Sequence, residues 1–106
     1  MEMRKDAVAR INFDATVFVW RGPAPFFFAQ VPAEHAAELK RSAKRLSYGW
    51  GVVPVQATIG GVAFRTSLIP RDGTYLLPLK ADIRRRTGIT AGDCVPIEMT
   101  LQPSGR

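Results

Sequence analysis

Apolar and polar positions alternate in the first long pattern of the chain. Ile11, Phe13, Ala15, Val17 and Val19 take every second place, with Arg10, Asn12, Asp14 and Thr16 between them. A period of two over that length predicts a strand with one wet face. Phe18 and Trp20 break the polar row, so the far end of this strand is expected to be covered. Arg21-Gly22-Pro23-Ala24-Pro25 ends it, because proline lacks a ladder donor and glycine permits a turn. Phe26 opens a second strand that runs to Val31. Pro32 then suits the first position of a helix, with Glu34 and Glu38 near its positive end. Ala36, Leu39, Ala43 and Leu46 make a narrow apolar stripe along that helix, and Tyr48-Gly49-Trp50-Gly51 stops it.

Alternation returns at Val53, Val55, Ala57 and Ile59, followed by Gly60-Gly61 as a two-residue hairpin turn. A return strand is expected from Val62 to Ile69, with Pro70 to Gly73 as a turn and Tyr75 to Leu79 as the next strand. Ala81 to Thr87 reads as a short helix capped by Gly88 in the left-handed region. Gly92-Asp93 turns the chain into a last strand, where Val95, Ile97, Met99 and Leu101 alternate with Cys94, Pro96, Glu98 and Thr100. Pro96 implies an edge or bulge there. Six short strands and two helices in one small core predict an all-β domain, a barrel capped by helices.

A chain of 106 residues, 46% apolar, fits one domain over 1–106, with its core at 8–101 and frayed ends. Net charge of +6 raises nucleic acid or another acidic partner, while solubility alone explains it as simply. Cys94 is the one cysteine and His35 the one histidine. Neither has companions at ligand spacing, so no metal or cofactor is expected. Cys94, within an apolar alternation, is expected to be a buried or half-buried thiol. His35 is expected on the exposed first turn of its helix. The charged start Met1 to Asp6 and the short apolar run at Val17–Trp20 do not make a signal segment, and no stretch reaches membrane-span length. A soluble, cytoplasmic monomer is the expectation.

Setting Pro32 against Lys80 lays Val31-Pro32-Ala33-Glu34 over Leu79-Lys80-Ala81-Asp82. Each copy is a strand, a helix, a glycine-bearing turn and a strand. Neither buries its own apolar face, so two copies about an approximate twofold axis are expected to share one core.

The second copy, Leu76-Leu77-Pro78-Leu79-Lys80-Ala81-Asp82-Ile83-Arg84 through Ala91-Gly92-Asp93-Cys94-Val95, resembles half of a known barrel type. That type is the swapped-hairpin, double-split β-barrel of antitoxins and transition-state regulators, which bind DNA as dimers with each chain supplying one half. Lys80 stands where those proteins usually carry proline. A closer resemblance rests on Phe28-Ala29-Gln30-Val31-Pro32, Val55-Gln56-Ala57-Thr58-Ile59-Gly60-Gly61, Phe64-Arg65-Thr66-Ser67-Leu68-Ile69-Pro70 and Asp72-Gly73-Thr74-Tyr75-Leu76-Leu77-Pro78. In these segments the chain is similar to an uncharacterised bacterial family, domain of unknown function 1905 (DUF1905). That resemblance implies a double-split barrel and no established activity.

No catalytic constellation stands out. Ser67 lies in a strand rather than a strand-to-helix elbow, and the glycine clusters do not precede a helix N-terminus. Lys40, Arg41, Lys44 and Arg45 on the first helix, with Lys80, Arg84 and Arg85 on the second, are candidate anion or nucleic-acid contacts. A solvated helix face accounts for them as simply. Trp20, Trp50, Arg65, Ser67 and Tyr75 are candidate lining for a small-molecule pocket, set against plugging of the barrel ends and pairing across a sheet face. Three functions follow: a non-catalytic binding module for an anionic or protein partner, a small-ligand or enzyme domain, and nucleic-acid recognition of the regulator kind.

Overall fold

The structure, a computed structural model, describes residues 10–20, 26–46 and 53–101, with the backbone alone over 42–46. Its strands are β1 (Arg10–Trp20), β2 (Phe26–Gln30), β3 (Val53–Ile59), β4 (Val62–Arg71), β5 (Thr74–Pro78) and β6 (Cys94–Leu101). Its helices are α1 (Ala36–Leu46), entered through a 3-10 turn at Ala33–His35, and α2 (Ala81–Thr87). The strands close a barrel in the order β1-β2-β5-β4-β3-β6, each antiparallel to both neighbours. The expected turns at 21–25 and 48–51, with the expected leader and tail, lie outside the described residues.

The alternating positions become the interior. Ile11, Phe13, Ala15 and Val17 of β1 meet Val53, Val55, Ala57 and Ile59 of β3 and Val95, Ile97, Met99 and Leu101 of β6 in one buried cluster. Ala29, Val31, Tyr75, Leu77 and Leu79 join it from β2, β5 and the residues just after them, Leu68 from β4 and Leu39 from α1. Two hairpins fix the registers. Gly60 and Gly61 have φ of 56° and 81°, and Asp72 and Gly73 have 49° and 82°, the paired positive angles that match strand twist in a two-residue turn.

The internal repeat is written in the hydrogen bonds. Ala29 faces Leu77 at the centre of the β2–β5 ladder, with Phe28 opposite Pro78 and Gln30 opposite Leu76. A twofold axis through the Ala29–Leu77 pair exchanges these two flanking rungs. It also superposes two other bonds, Val31 N–H to the Tyr75 carbonyl and Leu79 N–H to the Phe27 carbonyl, each 2.9 Å. The repeat is longer than the sequence suggested. Phe26 pairs with Trp20, and its counterpart Thr74 pairs with Arg71, so β1 corresponds to β4 as well.

β2 and β3 stand opposite one another in the ring, so α1 crosses one barrel mouth between them. α2 crosses between β5 and β6 in the same way. Because β2 and β5 run antiparallel, the helices that follow them cap opposite mouths.

Four expectations change. β4 continues through Pro70 to Arg71 instead of turning at Pro70. Pro70 faces Tyr75 one rung before the tight turn, where its nitrogen points away from β5 and past the end of β3, so no ladder bond is lost. Pro32 is not the first helical residue; it precedes the 3-10 turn and its carbonyl accepts the His35 N–H at 3.0 Å. Cys94 is exposed, because the inward places of β6 belong to Val95 and the residues two and four beyond it. His35 is half-buried rather than exposed, its ring tilted against Phe13 at 6.1 Å between centroids. Pro96 fits the expectation of a local edge: it lies beyond Thr58–Glu98, the last rung β6 shares with β3.

Candidate functional site

The outer face of β1, β2, β5 and β4 is built unlike an ordinary wet sheet face. Phe18 and Phe28 face each other across the β1–β2 rung with ring centroids 6.0 Å apart, and Trp20 meets Phe28 edge-on at 6.3 Å. The cover expected for the end of β1 is only partial, since Phe18 is half-buried while Trp20 stays exposed. Leu76 is 4% exposed although it lies outside the interior cluster, so it is buried on the outside of the barrel. Trp20, Phe26 and Ile69 remain 37%, 60% and 41% exposed around it.

Trp20 and Arg71 close over this face. They end β1 and β4 and are counterparts under the twofold, yet the Arg71 guanidinium carbon lies 3.6 Å from the Trp20 ring centroid. A guanidinium at that height is held by the ring's electron-rich face. Its Nε also sits 3.4 Å from the Asp72 carboxylate, in a pair whose side chains are 45% and 84% exposed. Beside this clasp lies an open depression of about 380 Å³ lined by Phe18, Val19, Trp20, Gln30, Arg71, Asp72 and Leu76. It combines an apolar floor, an oriented cation, a carboxylate and an amide.

Among the described residues singled out in the sequence as pocket candidates, Trp20 alone lines this depression. Tyr75 points inward and is 5% exposed, and burial pushes its phenol above the usual range. Arg65 is exposed on β4 opposite Gln56, and half-buried Ser67 faces Pro54. Trp50 lies outside the described residues. Phe18, Gln30, Arg71, Asp72 and Leu76 were not singled out as pocket residues. The interruption of the polar row at Phe18 was the one signal, since a charge beside a turn gives no hint of what it stacks on.

The basic residues are divided between the two mouths. Lys40 and Arg41 are exposed on α1, and the side chains of Lys44 and Arg45 are outside the description. Lys80 is exposed ahead of α2. Arg84 turns inward, its guanidinium 3.8 Å from the Phe27 ring centroid and its Nε donating to the Leu79 carbonyl at 3.2 Å. Arg85 and Arg86 both reach Asp82, at 3.4 and 3.7 Å.

Across the barrel, a shallower depression of about 490 Å³ lies along β1, β6 and β3 and carries Asn12, Asp14, Thr58 and Glu98. Arg10 holds Glu98 at 3.5 Å beside it. Among the described residues no three His, Cys, Asp or Glu side chains cluster as metal ligands, and no helix is long and apolar enough to cross a membrane.

A chain that closes a six-stranded barrel from two strand–strand–helix–strand halves defines an all-β domain, a closed barrel with two short helices. The family model described as Domain of unknown function (DUF1905) matches residues 13–99, and the chain belongs to that family. No curated protein matches it.

Proposed function

We propose that this domain is a non-catalytic binding module that takes an anionic ligand at the outer face of β1, β2, β5 and β4. One observation carries the reading: the Arg71 guanidinium is held over the Trp20 ring, 3.6 Å from its centroid, in a depression also lined by the buried Leu76. A stacked guanidinium has lost much of its rotamer freedom before any ligand arrives, so less is lost on binding. Asp72 sits at Nε, which leaves the terminal nitrogens for an incoming carboxylate or phosphate. Closure of the barrel within one chain supports a monomer as the acting unit.

Nucleic-acid recognition, as in the regulators that the second half resembles, is the weaker reading. Its carriers Lys40, Arg41, Lys44 and Arg45 belong to one mouth and Lys80, Arg84 and Arg85 to the other, with Arg84 and Arg85 already engaged. The test is a backbone and side-chain NMR titration with acetate, benzoate and inorganic phosphate, alongside a DNA and RNA shift assay across a salt series. Anion-dependent shifts confined to Trp20, Gln30, Arg71 and Leu76, and lost in Arg71→Gln, are expected. Shifts confined to α1 and α2, or to no site, would refute the outer-face reading.

A further inference from the structure

The charge layout of the depression narrows the ligand further, in an inference that rests on the anion-binding reading above. Arg71 and Asp72 are consecutive, and the tight turn through Asp72 and Gly73 presents their opposite charges side by side, 3.4 Å apart. Both line the depression, and Leu76 and Phe18 give it an apolar surface. Phosphates and dicarboxylates fit this layout poorly, because a second negative charge on the ligand would face the Asp72 carboxylate. A plain amine gains nothing from Arg71.

We infer that the depression binds an apolar α-amino acid, with its carboxylate on Arg71, its ammonium on Asp72, and its side chain on Leu76 and Phe18. An exposed ion pair such as Arg71–Asp72 is weak and opens readily for a ligand that satisfies both members. Gln30, also in the lining, offers a further donor and acceptor. A volume of about 380 Å³ suits a ligand of this size, near the lower end of small-molecule sites.

The experiment compares L-phenylalanine with 3-phenylpropionate, which lacks the ammonium, with phenethylamine, which lacks the carboxylate, and with inorganic phosphate. Each is titrated into the isotopically labelled full chain. L-Phenylalanine is expected to shift Trp20, Gln30 and Leu76, with each truncated analogue weaker by about tenfold, the loss of one charge-assisted contact. In Asp72→Asn, 3-phenylpropionate is expected to draw level with L-phenylalanine. If 3-phenylpropionate or phosphate already binds the natural chain at these residues as tightly as L-phenylalanine, the amino-acid assignment falls and the anion site stands. If no probe shifts these residues up to about 10 mM, weaker than most functional small-ligand binding, both fall.

Discussion

The two halves of the barrel agree inside and disagree outside. Around the axis the interior counterparts are alike in kind: Ala29 with Leu77, Val31 with Leu79, Phe27 with Tyr75. On the outer face they are unlike: Trp20 corresponds to Arg71, Phe28 to Leu76, Gln30 to Pro78, Phe26 to Thr74. Packing holds each interior position to apolar bulk, because an error there costs stability directly. Outer positions carry no such demand, so the two copies can become complementary. Trp20 and Arg71 now meet as cation and ring, a pairing that two identical copies could not make.

The sharpest way to break this comparison is at the axis. Leu77 is fully buried and faces Ala29. Leu77→Ala is expected to cost about 2–5 kcal/mol, by lost transfer energy and the cavity left behind. Ala29→Leu alone is expected to cost about 1–3 kcal/mol through overpacking. If the axis runs between them, the exchanged pair Ala29→Leu with Leu77→Ala restores the total volume. It should be more stable in urea unfolding than Leu77→Ala by at least about 1 kcal/mol. Additive losses would mean that the two side chains do not share one space.

A smaller effect of opposite sign is expected at His35. Its twofold counterpart is Ile83, buried beneath α2. His35 packs on Phe13 with Nε2 buried and without a hydrogen-bond partner among the described residues, although the exposed Glu34 carboxylate lies 3.5 Å away. An orphaned nitrogen costs desolvation with no return. His35→Ile, which copies the other half, is therefore expected to stabilise the fold by about 1 kcal/mol. A loss of stability in thermal unfolding would assign His35 a partner in solution.

These positions also show what the chain discloses before it folds. Alternation at Ile11–Val17, Val53–Ile59 and Val95–Leu101 marks the buried face residue by residue, because a strand's period of two ties sequence parity to side. The Pro32–Lys80 alignment marks the axis, since it sets Val31 over Leu79. Parity assigned to a wrong partner is what misled at Cys94: its neighbours in sequence are apolar, yet the alternation that buries Val95 turns Cys94 outward. The depression was legible only at Trp20. Arg71 comes to it through a hairpin register and a stacking contact across four strands, neither of which leaves a local pattern. The basic helices illustrate the converse. Their charges are plain in sequence, but the antiparallel run of β2 and β5 that sends them to opposite mouths is not.

The least effect at neutral pH is expected at Tyr75, the counterpart of Phe27. Tyr75 is buried in the barrel, and desolvation raises its phenol above 10.0. A raised value means that the folded state holds its proton more tightly than the unfolded chain does. The neutral phenol's contribution is then complete below pH 10.0 and is lost as pH climbs through the folded value. Tyr75→Phe, which makes the two halves alike, should change stability by no more than about 1 kcal/mol at pH 7. Above pH 10.0 the natural chain should lose stability with each step in pH, and the variant should lose less, since the only remaining tyrosine is Tyr48. Parallel curves for the two proteins would place the Tyr75 hydroxyl in water and end the likeness to Phe27.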